Sequence, residues 1–481
     1  MRLALVLLAT ATLFGQTPAA DPPPTIILQH VTVIDGTGAK PRSDVSVQLM
    51  GDRIGKIAKR IKAPPGVQVI NAKGKFLIPG LWDMHVHLGY PEQYLSLLLA
   101  NGITGIREMY TGLPLRSLLG LRTRPDVPRI AISAFLDGPL IVTPGVPLPE
   151  GAIPVANERE ARAAVRFLSQ GTFDFLKVYN SLPRDAYFAI ADEANKFHIP
   201  FAGHVPEAVS PLEASEAGQR SEEHLMNILL ACSTNETALR ADRIRVMEGG
   251  GSLSGGSISN EERFRLLAFP KTEGLLDTYS EAKCQHLFET FVKNGTWQTP
   301  TLVVLQGFAH GDDLVKDPRA SYMPKEWRAT AHPRQKYYMQ DLKPEEFDAL
   351  VKRIAELLER HKQLVRDMHK AGVPLLAGTD TSGLNPVLAG FGLHQELAIF
   401  VECGLTPMEA LQTATRNPAR YFGLEQEFGT IEEGKAADLV LLDADPLKNI
   451  HNTEKIRAVI MRGRFFSRSD LDTMLTRASL Q

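Results

Sequence analysis

The feature that most constrains this chain is a recurrence of short apolar segments that end in a side chain able to ligate a metal. The run Phe76 to Met84 leads into His85-Val86-His87. Successive side chains of a strand point to opposite faces, so His85 and His87 share a face, two residues apart. Lys177 closes Phe173-Asp174-Phe175-Leu176, and His204 follows Ile199 to Gly203. His224 follows Arg220 to Glu223, and Asp380 closes Val373 to Thr379. Strands separated by helical stretches predict repeated βα units and a parallel sheet. In a closed (β/α)8 barrel the C-terminal strand ends converge on one mouth. Four histidines, one lysine and one aspartate at such ends form the inventory of a two-metal hydrolytic site. Each residue also has a plain reading: satisfied histidines near a strand end, or a lysine in a salt bridge.

Length and charge narrow the classes. A chain of 481 residues accommodates a barrel and an accessory domain. With 44% apolar and 22% charged residues, the balance is that of a globular protein. A net charge of −2 argues against a nucleic-acid partner or an anionic membrane surface.

The N-terminus reads as a signal peptide over residues 1–20: Met1-Arg2, an apolar run from Leu3 to Phe14, then small residues at Thr17-Pro18-Ala19-Ala20. Secretion or a periplasmic location is therefore expected, with no stable membrane insertion after cleavage. The cysteines are Cys232, Cys284 and Cys403. Three widely spaced cysteines are not a disulfide framework, and a Cys232–Cys284 bridge is left open.

The two ends of the remaining chain are β-like. Ile26 to Ile34, a turn at Asp35-Gly36-Thr37-Gly38, and Asp44 to Leu49 alternate in strand fashion. Ala437 to Asp443 and Ile456 to Arg464 do the same at the other end. The expected organisation is a small β-sandwich domain built from residues 21–78 and 425–481, flanking a metal-dependent barrel over 79–424. Pro344 to Lys370 has apolar residues at helical spacing. Thr406-Pro407-Met408-Glu409 carries a capping box. His361 and His369 are expected on a helix surface. The glycine-rich stretch Gly249 to Ser257 and the polar stretch Ala309 to Gln340 read as loops, either lids over the site or solvated surface.

Taken together these motifs resemble the amidohydrolase superfamily, in the branch of imidazolonepropionase-like enzymes and zinc-dependent Xaa-Pro and Xaa-Arg dipeptidases. The resemblance rests on Asp35-Gly36-Thr37-Gly38, Pro79 to His87, Gly102 to Arg107, Leu176-Lys177-Val178-Tyr179, Gly203-His204, Glu223-His224, Ala377-Gly378-Thr379-Asp380 and Gly434 to Leu439. It implies that His85, His87 and Asp380 hold a buried metal and that His204 and His224 hold an exposed one. Lys177, carboxylated by carbon dioxide, would bridge the two. It further implies attack on a carbonyl by hydroxide shared between two divalent ions, with Asp380 moving the proton. Imidazole and carboxylate donors suit zinc.

Tyr179 lies two residues beyond Lys177 and faces the same mouth. It is either an oxyanion or carboxylate ligand or a packed aromatic. Arg107 is a supporting residue, a substrate contact, or part of a barrel ion pair. One departure from the branch stands out: Ile141 to Pro147 has no histidine where a Gly-Gly-His stretch is common. The expected function is hydrolysis of an amide bond in a small molecule, a dipeptide or N-acyl amino acid. A lactone, ester or cyclic amide at the same site is the alternative. Homo-oligomerisation is left open.

Overall fold

The computed structural model describes residues 25–139, 152–248, 259–270, 273–325, 339, 342–382 and 385–480. The signal-peptide segment, the Ile141–Pro147 stretch, Gly249–Ser257 and much of the polar stretch before Gln340 lie outside these residues. Among the described residues no helix is long and apolar enough to cross a membrane.

Seven parallel strands pair in chain order: Leu81–Val86, Ile103–Glu108, Arg129–Asp137, Phe175–Val178, Phe201–Gly203, Ser221–Glu223 and Trp297–Thr299. The gap between the last and the first is spanned by the segment from Val373 to Thr381. Leu375 bridges Gln298 on one side and Thr381 bridges Val86 on the other. Backbone bonds from Leu376 N to Gln298 O (2.9 Å), Met84 N to Ala377 O (2.9 Å) and Asp380 N to His85 O (2.8 Å) close the ring. The eighth position is thus held at scattered points rather than by a regular ladder. One reason is local: Asp380 adopts φ +53°, which breaks strand geometry where the segment reaches the mouth.

Helices cover the outside. Pro344–Ala371 buries Ile354, Leu357, His361, Leu364 and Met368 on one stripe. Pro407–Thr413 opens with the expected capping box, Thr406 accepting from Glu409 N and Glu409 from Thr406 N. Part of the polar stretch expected as a loop is helical, within Leu302–Lys316. The buried Glu396 carboxylate accepts from Leu302 N and Val303 N, satisfying amides that a helix start leaves unpaired. The barrel floor is apolar and is covered by the segment from Ala419 to Phe428. Trp82 stacks on Phe428 at 4.8 Å and packs beside Phe175, Trp297 and Tyr421.

The two chain ends form one mixed sheet. Its order is Arg464–Ser467, Ile456–Met461, Leu439–Leu442, Phe76–Pro79, Ile26–Val33, Arg42–Met50, Arg53–Ala58, with Gln68–Asn71 also pairing Ile26–Val33. The ends meet where Phe76–Pro79 runs antiparallel to Leu439–Leu442. Leu28, Val31, Leu77, Leu439 and Ile460 make its core. After Pro79 the chain passes through Gly80 straight into the first barrel strand, so this sheet anchors the strand that carries His85.

Cys232 and Cys284 are joined in a disulfide across 52 residues of sequence. It ties the short Ile228–Ala231 helix after the sixth strand to the Glu281–Asn294 helix. The chain-entropy model gives such a loop about 4 kcal/mol of stabilisation. Cys232→Ser is expected to lower the unfolding free energy by about 2–4 kcal/mol, read by denaturant titration. An unchanged midpoint would show that the bond does not form.

Candidate metal centre

The barrel brings all six expected ligand residues to its C-terminal mouth. His85, His224 and Asp380 each present a ligand atom, and these atoms lie within 4.8 Å of one another. His87 Nε2 is 3.0 Å from Asp380 Oδ1, and His85 Nε2 is 3.5 Å from the same oxygen. His204 Nε2 is 3.0 Å from His224 Nε2. His224 therefore stands between the two expected groups, reaching His204 on one side and the His85–Asp380 pair on the other. Lys177 is fully buried, with its Nζ 5.6 Å from the centre of the Tyr179 ring.

The four imidazoles share one arrangement. His85 Nδ1 pairs with Glu223 Oε2 at 2.9 Å, and His87 Nδ1 donates to the carbonyl of Tyr110. His204 Nδ1 meets Asn180 Oδ1 at 2.6 Å, and His224 Nδ1 meets Thr301 Oγ1 at 2.7 Å. On His85 and His87 the partner oxygen can only accept, which places the proton on Nδ1 and leaves the Nε2 lone pair free. His85 Nε2 and Lys177 Nζ are buried and have no hydrogen-bond partner among the described residues. Buried polar atoms are seldom left so. Nε2 lone pairs, a carboxylate and an unpartnered amine form a donor set that fits divalent cations.

A buried ion pair sits beneath these donors. Arg107 Nη2 donates to both oxygens of Glu223 at 2.8 Å, its Nη1 to Ser221 Oγ (2.7 Å) and Tyr421 Oη (2.9 Å), and its Nε to Met84 O (2.6 Å). Both charged residues are inaccessible to solvent. Glu223 thus spans Arg107 and His85, and the guanidinium holds the carboxylate that orients the imidazole. Arg107 is a barrel ion pair and a supporting residue at once.

Asp83 ties the first strand to the closing segment. Its Oδ1 accepts from His85 N (3.2 Å) and Thr379 N (3.0 Å), and its Oδ2 from Thr379 Oγ1 (2.6 Å). His85 and Asp380 are the neighbours of these amides, so one carboxylate registers both. Two motif glycines serve the same packing. A Cβ on Gly378 would lie 2.9 Å from His85 Cβ, and one on Gly203 would lie 2.2 Å from Val178 O. Asp380 is braced further by Asn385 Nδ2, which donates to its Oδ2 at 2.6 Å.

Burial controls the charges. It drives the Lys177 amine down to about 8, although Glu223 and Asp380 pull the other way. Burial also drives His85 and His204 well below the ordinary histidine range, helped by Lys177 nearby. Burial alone would raise Asp380, yet His87, His224 and Lys177 outweigh it and hold the carboxyl low. Neutral imidazoles and an ionised aspartate are the states a cation needs.

Tyr179 stacks on His204 with ring centres 4.1 Å apart and is half-buried at the mouth. His361 corrects the helix-surface expectation, being only 8% exposed. Its place follows from spacing, since 354, 357, 361, 364 and 368 lie on one helical face. Residues without an assigned role in the sequence reading include Glu223, Asp83, Asn180 and Thr301. Glu223 carried one usable signal: a charge inside a barrel strand must be paired.

Residues 291–465 match the model of the Amidohydrolase family. That match spans a little over a third of the chain and takes in Asp380, the segment that closes the barrel and the C-terminal strands of the β domain. An imidazolonepropionase of Maricaulis maris (strain MCS10) is 40% identical over 90 residues, 18% of this chain and 22% of that protein. The matched stretch is thus about a fifth of that curated relative's length. Bottromycin amidohydrolase superimposes with a TM-score of 0.69 at 22% identity, covering 99% of this chain and 94% of the other. A Xaa-Pro dipeptidase with bound methionine gives a TM-score of 0.63 at 19% identity, covering 92% and 100%. At these identities the structural likenesses show the fold.

Proposed function

We propose that this protein is a binuclear metal-dependent hydrolase that cleaves the amide bond of a dipeptide or N-acyl amino acid. The observation that carries the proposal is the set of four Nδ1-anchored imidazoles at one mouth with Asp380 and a buried, unpartnered Lys177. His85, His87 and Asp380 would hold the inner ion, and His204 and His224 the outer one. When bound, two divalent ions, zinc by donor chemistry, would supply Lewis acidity and a water acidified toward neutrality.

The protein's own residues do the rest. Lys177 would react as a neutral amine with carbon dioxide, forming an N–C bond and releasing a proton. The resulting carbamate is an anionic, two-oxygen ligand. Asp380 would accept a proton from the attacking water and return it to the leaving amine. Asn385 fixes the second Asp380 oxygen, so the first faces the histidines. Tyr179, stacked against His204, would donate to a substrate oxygen. A secreted or periplasmic location belongs to the same proposal, and the joined Cys232–Cys284 pair supports it.

The test is hydrolysis of a Xaa–Xaa dipeptide and N-acyl amino acid library by zinc-loaded protein. Turnover of a restricted set is expected. Hydrolysis of lactones or esters with every amide inert would overturn the substrate class.

A further inference from the structure

One wall of the mouth is continuous aromatic surface. Starting at His204, the Tyr179 ring stacks at 4.1 Å, Phe135 tilts against Tyr179 at 5.2 Å, and Tyr110 stacks on Phe135 at 4.2 Å. These residues sit at or just past the C-terminal ends of four consecutive strands. The register explains why they share the mouth. Phe135 is the lateral partner of Lys177, and partners in a parallel ladder face the same side. Tyr179, two residues beyond Lys177, faces that side as well. Phe135 is 7% exposed, whereas Tyr110 and Tyr179 are half-buried.

The far end of the wall is held under strain. Tyr110 has φ +99°, a region costly for a side chain of its size. Its carbonyl accepts from His87 Nδ1, so the conformation that presents the ring also anchors an expected metal ligand. A wall of flat faces favours a flat partner, because stacked and edge-to-face pairs gain beyond the area they bury.

We propose that the Tyr110–Phe135–Tyr179 wall selects amides in which one substituent carries a planar aromatic ring. This inference rests on the amide-hydrolase reading of the site. An amide with an aryl side chain at either position places its ring on the wall while the scissile carbonyl lies beside His204.

The test has two arms on the full-length, metal-loaded protein. The first compares kcat/KM for N-acyl phenylalanine and leucine pairs and for phenylacetyl and isovaleryl amides. The second compares equilibrium binding of 3-phenylpropionate and 4-methylpentanoate, which share a carboxylate and differ in the flat ring. The aromatic member is expected to win by about tenfold in binding and in at least one amide pair. In Phe135→Leu and Tyr110→Leu the aromatic-to-aliphatic ratio is expected to fall toward one. Equal binding of the two acids by the unaltered protein would overturn the inference even with amides turned over. Ring-selective binding without amide turnover would uphold the wall and reject the amide-hydrolase reading.

Discussion

Lys177→Met is expected to leave a folded protein that has lost its second metal and nearly all of its activity. The lysine is inaccessible and its Nζ has no hydrogen-bond partner among the described residues. It therefore carries a desolvation penalty, which is why burial pushes its amine down to about 8. Methionine has similar volume and no charge, so the substitution removes that penalty with little repacking. Stability is expected to hold or rise, the usual signature of a functional residue placed against the interest of the fold. Activity is expected to fall by more than the roughly 10–100-fold that loss of an outer hydrogen-bond partner costs a metal site. Thermal unfolding, metal analysis and kcat/KM on one preparation check this. Normal metal content with normal turnover would remove the bridging role assigned to Lys177.

Glu223→Gln is expected to have the largest effect on stability. Glu223 and Arg107 are both fully buried, and the guanidinium donates to both carboxylate oxygens. Removing one charge of a buried pair leaves the other uncompensated, at a cost of about 3–5 kcal/mol. The double variant Glu223→Gln with Arg107→Met removes both charges and is expected to recover part of that loss, because the two sites couple. Denaturant unfolding of the two single variants and the double variant decides it. A double variant that loses the sum of the single effects would show that the pair is not coupled. Metal affinity is expected to fall in Glu223→Gln and in the double variant, since His85 loses its anionic partner in both.

The sequence carried more of the ligand set than of its support. His85, His87, Lys177, His204 and Asp380 stand out because each follows a short apolar segment, and strand ends in a parallel barrel converge, whereas His224 follows the charged run Arg220 to Glu223. Their partners have no such signature. Asn180 and Thr301 are ordinary loop residues until His204 and His224 turn toward them. Tyr421, which meets Arg107, lies 314 residues away in sequence, and no local pattern announces that contact. The pairing of both chain ends into one sheet was legible as alternation at each terminus, while its strand order was not. The irregular eighth position was read as an ordinary strand, because Val373 to Thr379 is apolar; the positive φ at Asp380 and the Asp83 clamp are tertiary features. His361 shows the opposite error. Its polarity suggested surface, but its spacing within the stripe of the long helix decided burial.

The central claim is that these six residues hold two divalent ions. The direct measurement is the number of zinc ions retained per chain after equilibration and removal of free metal, in the unaltered protein and in His85→Ala and His204→Ala. The account predicts two ions in the first and fewer in each variant, with the fold intact by circular dichroism. One ion or none in the unaltered protein, or a count unchanged by both substitutions, would contradict it.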